Sequence, residues 1–424
     1  MTSMKFRKHA AIAAFIPAML YLSSAVAQTE GSSSNTASSA QFRAPLVDRA
    51  NETAKALAAS ENISVGEATK RLRMMRQAAN ASSRAWSSGQ DPLIRPMIKD
   101  GRVRVYRDKG RPNFDTDAIL SEFDTDLRPL VDFAEIARPI GEMKAEIARL
   151  SRKLTQADAV AGLRIDVVNG TIGLLSTDPA LTNKAVKAQG LTLPGFVQIE
   201  TSEPIQLTDT GMAGMTAGLQ ASSTSCRGAT WGFMAYQNGD ILKPGLLTVA
   251  HVTRDNAITQ LRLGQTSAAS SCGTGTSWQT RRLDWRGGAY TDRLGIDIAF
   301  HNQTSGTTYS PYFFDGAVNS KVLDVMFPAV GTKVCKFGVR TQKTCGTVEA
   351  DLVWSNGYGY MTSVIVDAAY PLASDVGDSG GPVWFSTNSA VGVEHAKWGA
   401  NKFLYSELQA LVQHGTGLTI ATTR

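Results

Sequence analysis

Beyond about residue 205 the chain breaks into short runs rich in β-branched and aromatic residues, among them LLTVAHV, DIAF, KVCKFGV, GTVEA, SVIVDA and GPVWF, with glycine between them. None is long enough to build a helix of ordinary length. Branched and aromatic side chains fit a pleated, half-buried surface, and glycine supplies the turns that join such strands. Many short strands in succession predict an all-β barrel or sandwich. The 219 residues from 206 to 424 are enough to bury a substantial core, or two barrels side by side. One helix is expected near the end, over SELQALVQ at 406–413.

The first half reads differently. Lys5, Arg7 and Lys8 precede an apolar run from Ala10 to Leu22, and Ala25-Val26-Ala27 supplies small residues at a cleavage point. Residues 1–27 therefore read as a signal peptide, and the run is too short to span a bilayer comfortably. The expectation is a secreted protein with no membrane span once that segment is removed. Residues 28–40, QTEGSSSNTASSA, are poor in apolar side chains and read as a disordered leader. Ser64 and Glu67 have capping-box spacing, and Ala68, Leu72, Met75 and Ala79 recur at helical intervals after them. A second amphipathic helix is expected over 141–155. Then LRIDVV and TIGLLS flank Asn169-Gly170, a two-residue turn with positive φ at both centres. Asp178-Pro179 opens a short helix through Lys187, Gly190 ends it, and GFVQIET is a third strand. Residues 163–201 thus read as a small α+β unit.

The formal net charge of +6 invites a nucleic-acid reading. Its distribution argues against one. From residue 206 onward 16 Lys and Arg face 15 Asp and Glu, whereas residues 1–205 hold 27 against 22. The surplus lies outside the β-rich half, which has no basic groove to offer a phosphate backbone. The four cysteines, Cys226, Cys272, Cys335 and Cys345, suggest two disulfides in an exported chain, with three connectivities open. No C-x-x-C or H-E-x-x-H pattern occurs, so no metal or other cofactor is expected.

Within the β-rich half, residues 377–384 read GDSGGPVW. A serine hydroxyl is a poor nucleophile near neutral pH and needs a base within hydrogen-bond reach, most often histidine. Five histidines exist: His9, His251, His301, His395 and His414. His9 leaves with the signal peptide, and polar surroundings mark His301 and His414 as exposed. His251 ends the apolar strand LLTVAHV, where a rigid element can aim its ring. The imidazole also needs a buried carboxylate. Asp297, set among Ile296, Ile298, Ala299 and Phe300, is the candidate, because an aspartate there is costly unless hydrogen-bonded. Asp284 and Asp292 lie in polar, Arg-containing stretches. GDSGG also satisfies the G-x-S-x-G nucleophile elbow, but that arrangement places acid and histidine after the serine. Only 45 residues follow Ser379, and they hold no βαβ pattern.

These motifs resemble the trypsin/chymotrypsin-like serine proteases, and among them the secreted bacterial streptogrisin and alpha-lytic protease branch. LLTVAHV is similar to the histidine motif, GIDIAF to the aspartate motif and GDSGGPVW to the serine motif. CKFGVRTQKTCGTV is similar to the small disulfide loop, and YSELQALVQHGTGLTI to the closing helix and strand. The resemblance covers nearly all of 215–424, and the 163–201 unit is similar to the end of that branch's folding-assistant propeptides.

It implies a double six-stranded-type barrel with a C-terminal helix over 206–424, preceded by an α+β propeptide over 28–205. It also implies a serine endopeptidase with His251, Asp297 and Ser379 as the triad, and Gly377 and Ser379 N–H groups as the oxyanion hole. Arg340 is the implied partner of an inward-facing Asp378. Ala373, Glu394 and His395 are pocket candidates, and the disulfides would be Cys226–Cys272 and Cys335–Cys345. Val252 stands where the family's histidine motif has cysteine, no cysteine lies near Ser379, and Ala373 lacks the acid of a trypsin-like pocket. The expected partners are protein or peptide substrates and the chain's own propeptide, with the mature protein a monomer. The competing expectation is a catalytically silent secreted binding protein on the same fold.

Overall fold

The apolar runs of the second half pair edge to edge until the sheet meets itself. In this computed structural model the described residues are 53–207 and 216–423, apart from 56, 60, 110–113, 155–158, 223–224, 252–259, 265–277, 283–296, 304–310, 316–318, 356–358, 386–387, 410 and 412–415. The strands Lys333–Gly338, Pro382–Phe385, Ser389–Trp398, Lys402–Glu407, Gly359–Val366 and Gln342–Ser355 follow one another in hydrogen-bonded order, and the last returns to pair with the first. Every one of these pairings is antiparallel, giving a closed six-stranded barrel with no free edge within the ring. Val334, Val348, Val364, Phe385, Phe403 and Tyr405 fill it.

Upstream, Trp278–Arg282, Ala299–Gln303, Asp240–Thr248, Met234–Gln237 and Leu418–Ile420 make a five-stranded sheet. A separate three-stranded sheet joins Gln260–Gly264, Thr216–Ser222 and Ser225–Thr230. The expected architecture of two barrels therefore appears as one closed barrel and, among the described residues of 206–424 outside it, these two sheets and a two-stranded one, Tyr312–Phe314 with Asn319–Lys321. Phe233, Leu247, Ile298 and Phe300 pack there against Trp384 and Val393 of the barrel, so the two halves share a core where they meet. The expected terminal helix starts late: Ser406 and Glu407 finish a strand, and Gln409 and Leu411 are helical.

The N-terminal signals also fold locally as read. Ser64 Oγ accepts from the Glu67 N–H at 3.1 Å and caps the helix Val65–Ser87. Its Met75 and Ala79 join the barrel core. A second helix runs Ile140–Leu154, and Asp178 caps a third at Pro179–Ala188. The hairpin at Asn169-Gly170 differs from expectation, since only Gly170 has positive φ, at +65°. The turn is wider because the Asp166 carboxylate accepts from both the backbone and the side-chain N–H of Asn169, at 3.0 and 2.7 Å.

The hairpin strands Val160–Asp166 and Thr171–Ser176, with Val197–Thr201 running parallel to the second, complete the predicted α+β unit. The unit is joined to the barrel: Val160–Asp166 pairs antiparallel with Gln342–Ser355, from Leu163↔Trp354 to Asp166↔Asp351. Leu352 and Trp354 are buried against Ile147, Leu163, Ile165 and Leu174 of that region. A buried ion pair adds to the joint, Arg95 Nη2 lying 2.6 Å from Glu407. Among the described residues no helix is long and apolar enough to cross a membrane. The signal-peptide and leader readings fall on residues outside those described.

Candidate active site

Three structural levels bring the serine, the histidine and the aspartate together. Asp240–Thr248 is a central strand of the first sheet, and it ends three residues before His251, which with Ala250 is helical. Asp297 lies two residues before the start of Ala299–Gln303, the neighbouring strand, whose Phe300 pairs with Leu247. Ser379 comes from the other half, in the bend before Pro382–Phe385. The site therefore spans the junction between first sheet and barrel.

Asp297 Oδ2 accepts from His251 Nδ1–H at 2.5 Å, and its Oδ1 accepts from the His251 backbone N–H at 2.9 Å. The other ring nitrogen, Nε2, lies 3.2 Å from Ser379 Oγ. All three side chains have no exposed surface. Burial by itself would raise the Asp297 carboxyl, but the imidazoles hydrogen-bonded to it hold it well below the usual carboxylate range. A buried carboxylate oriented by and orienting an imidazole, whose far nitrogen meets a hydroxyl, can move a proton from that hydroxyl.

The bend at Ser379 depends on glycine. Gly377 has φ +108° and Gly380 φ +87°, conformations that side chains resist. A Cβ on Gly380 would also strike Thr248 Oγ1 and the Thr230 carbonyl. Thr230 ties the bend to the first sheet, its Oγ1 donating to the Gly377 carbonyl at 2.8 Å and its N–H to the Ser379 carbonyl at 2.8 Å.

Asp378 faces inward, as expected, but its cation is not Arg340. Lys336 Nζ donates to Asp378 Oδ2 at 2.7 Å, both side chains fully buried. Arg340 contributes only its backbone N–H, at 2.8 Å, while its exposed guanidinium sits 3.6 Å from Asp375. Thr341 adds its N–H at 3.2 Å and its hydroxyl at 2.6 Å. Burial would raise the Asp378 carboxyl; the ammonium and these hydrogen bonds lower it instead. A signal for Lys336 was present: it lies two residues from buried Val334 on Lys333–Gly338 and so shares the inward face. The short reach from a strand backbone suits a straight lysine better than a residue out on the turn.

The pocket candidates divide. Ala373 is buried in the barrel core beside Val366 and Tyr405. Glu394 is buried, its Oε1 accepting from Ser374 Oγ at 2.5 Å, and burial pushes its carboxyl up to about 7. His395 turns toward Asp297, its Nδ1 lying 2.5 Å from Asp297 Oδ2. Sequence reasoning missed this, because it assigned both residues to one pocket wall. Adjacent residues on a strand face opposite sides, which was the available signal. His251, Asp297 and His395 are also the one group of three among the described residues able to hold a metal ion. Their mutual hydrogen bonds account for the grouping.

Other candidates fall elsewhere. His301, expected exposed, is buried on Ala299–Gln303 with its ring edge-on to Trp231, and burial drives its imidazole down to about 3. The polar HNQ run misled because the His301 ring packs against Trp231 instead of facing solvent. Cys335 and Cys345 are disulfide-bonded across paired strands. Cys272 lies outside the described residues, and the Cys226–Cys272 pairing with it; so do His9, His414, Val252, Asp284 and Asp292.

No family model matches the chain. Two uncharacterized proteins of Mycobacterium tuberculosis, from strains CDC 1551 / Oshkosh and ATCC 25618 / H37Rv, are each 37% identical to it over 87 residues, which is 20% of this chain. The chain spans about a third (34%) of the length of these curated relatives. Among solved structures it is similar to Thermobifida fusca Protease A, at 19% identity and TM-score 0.36, covering 50% of this chain and 98% of that one. Nocardiopsis Protease stands at 18% identity and TM-score 0.35, with the same coverage of both chains. Cellulomonas bogoriensis chymotrypsin stands at 19% and 0.33, again with that coverage. Bacterial chymotrypsin-like serine proteases are thus among the solved structures to which this chain is similar.

Proposed function

We propose that the chain is a secreted serine endopeptidase, made as a latent precursor, that hydrolyses peptide bonds through Ser379, His251 and Asp297. The observation that carries this reading is the continuous hydrogen-bonded path from Asp297 through both His251 ring nitrogens to Ser379 Oγ. On it, Ser379 Oγ attacks the peptide carbonyl carbon while its proton passes to His251 Nε2. Asp297 keeps the Nδ1–H tautomer and faces the imidazolium that forms. That imidazolium then protonates the leaving amine, the C–N bond breaks, and an acyl-serine remains for water to hydrolyse by the same steps. The N–H groups of Gly377 and Ser379 meet the oxyanion; losing one such donor typically costs about 2.7–4 kcal/mol of transition-state stabilisation.

The chain's own segment supports the precursor reading. Ile205–Leu207 runs antiparallel to Ser389–Trp398, with Leu207 opposite Ala396 and Gln206 opposite Lys397. The next residue back along that strand, His395, has its carbonyl 3.3 Å from Ser379 Oγ. An extended peptide that adds to this edge approaches the nucleophile just beyond its third paired residue. Ile205–Leu207 therefore lies as the residues before a scissile bond would, and the bond to be cut follows shortly after Leu207. The propeptide then runs from residue 28 through at least Leu207, and its strand pairing with the barrel suits a folding assistant or inhibitor. The Lys5–Ala27 pattern supports export.

Fluorophosphonate labelling of the secreted protein tests the catalytic claim: wild type should label and Ser379→Ala should not. A folded wild type that stays unlabelled after its N-terminal region is removed would favour the silent binding protein. N-terminal sequencing of the mature form should find a start within a few residues after Leu207, and a mature protein still carrying residues 41–200 would refute the processing.

A further inference from the structure

Asp297 serves one more imidazole than a Ser–His–Asp path uses. The Nδ1 atoms of His251 and His395 each lie 2.5 Å from the same oxygen, Oδ2, and the two rings meet edge to face with centroids 5.1 Å apart. The three side chains have no exposed surface. A ring nitrogen facing a carboxylate oxygen at this separation carries its proton, since two lone pairs would repel. His395 therefore donates to Asp297, while its own carbonyl accepts from Ser379 Oγ at 3.3 Å.

We infer that His395 is a positioning residue that shares Asp297 with His251 and so extends the working range of the site toward acid pH. The inference rests on the serine-peptidase reading. A carboxylate oxygen already accepting one short hydrogen bond is a weaker partner for a second donor. Solvent protonation of His251, the event that silences a general base, gains correspondingly less from Asp297. Should His395 itself carry a second proton, the effect grows, because two imidazolium rings would then face a single carboxylate. The depressed carboxyl of Asp297 is consistent with two donors stabilising its charge.

Other charged groups near this set are accounted for. Glu394, beside His395 on its strand, is hydrogen-bonded to Ser374 and lies within electrostatic reach of His251. Behind it Lys336 and Asp378 neutralise each other. Lys397, two residues along the strand, is partly exposed. None of these donates to Asp297.

The test is the pH profile of kcat/KM on a small chromogenic ester or amide, for processed wild type, His395→Leu and His395→Asn. Leucine removes the donor and keeps bulk; asparagine restores an N–H donor that cannot ionise. The acid limb should move to higher pH by about one unit in His395→Leu, and back most of the way in His395→Asn, with KM unchanged. Coincident limbs for wild type and His395→Leu, or an asparagine variant no closer to wild type than leucine, would overturn the inference. If the leucine variant does not fold, His395→Ala takes its place, and the pH dependence of fluorophosphonate labelling rate gives the same reading. A wild type that never labels defeats the peptidase reading; a wild type that labels with an unmoved limb defeats this inference alone.

Discussion

Two buried aspartates flank Ser379 from opposite halves of the molecule, and they are neutralised by different means. Asp378, in the barrel, receives a lysine ammonium, a hydroxyl and backbone N–H groups. Ammonium, hydroxyl and backbone donors together anchor the carboxylate, so the cluster is a fixed brace under the bend. Asp297, just before a strand of the first sheet, receives, among the described residues, imidazole and backbone N–H groups. An imidazole can take up a proton at its far ring nitrogen, so this carboxylate can follow the movement of a proton. One half of the site holds shape, and the other holds charge that can be moved.

The comparison breaks most visibly through Asp297→Asn. An amide cannot support an imidazolium and invites the wrong tautomer, so kcat should fall by about 10⁴-fold while the protein still folds. Burst titration with an activated ester, beside circular dichroism, separates the two effects; a loss under tenfold would remove Asp297 from its role. Lys336→Met should show the reverse pattern. It leaves Asp378 buried without its cation, at a cost of about 3–5 kcal/mol in stability read by urea unfolding. Adding Asp378→Asn to that variant should recover part of the loss, because the uncompensated charge is gone.

His301 sharpens the contrast as a third case. It is a buried ionisable group whose two ring nitrogens have no hydrogen-bond partner among the described residues. Unfolded, it takes its proton near pH 6.5, whereas folded it waits until about 3. Stability is therefore full above 6.5 and drains as pH falls toward 3, by about 1.4 kcal/mol per pH unit over that window. His301→Leu should flatten this slope, by about 3 kcal/mol at pH 4, in urea unfolding measured from pH 7 downward. An unaltered slope would mean the ring is solvated. The smallest effect is expected from Thr341→Val, which removes one hydroxyl from Asp378 and should cost about 1–2 kcal/mol with no change in the pH profile.

Much of this was legible from the chain. GDSGGP places a serine in a glycine bend because only glycine tolerates the φ values found at Gly377 and Gly380. The apolar setting of Asp297 announced a buried carboxylate in need of donors, and the end of an apolar strand marked His251 as aimed. Cap residues Ser64 and Asp178 likewise predicted where two helices start, since a side-chain oxygen three residues or fewer away is all a cap needs. What resisted reading lies across strands. Arg340 and Lys336 lie 38 and 42 residues before Asp378, too alike in separation to choose between, and His301 sits in a polar run on a buried strand.

By itself, then, the sequence determined local matters: which residues form strands, where the bend falls, which carboxylates must be buried, and that a serine, a histidine and an aspartate occur in a workable order. The tertiary structure alone decided which cation reaches Asp378, that His395 joins His251 on Asp297, and that Ile205–Leu207 lies along the strand leading to Ser379. The physical reason is one of range. Alternation along a strand tells which face a side chain takes, while its neighbour on that face depends on strand order and register, and those are settled only when the barrel closes.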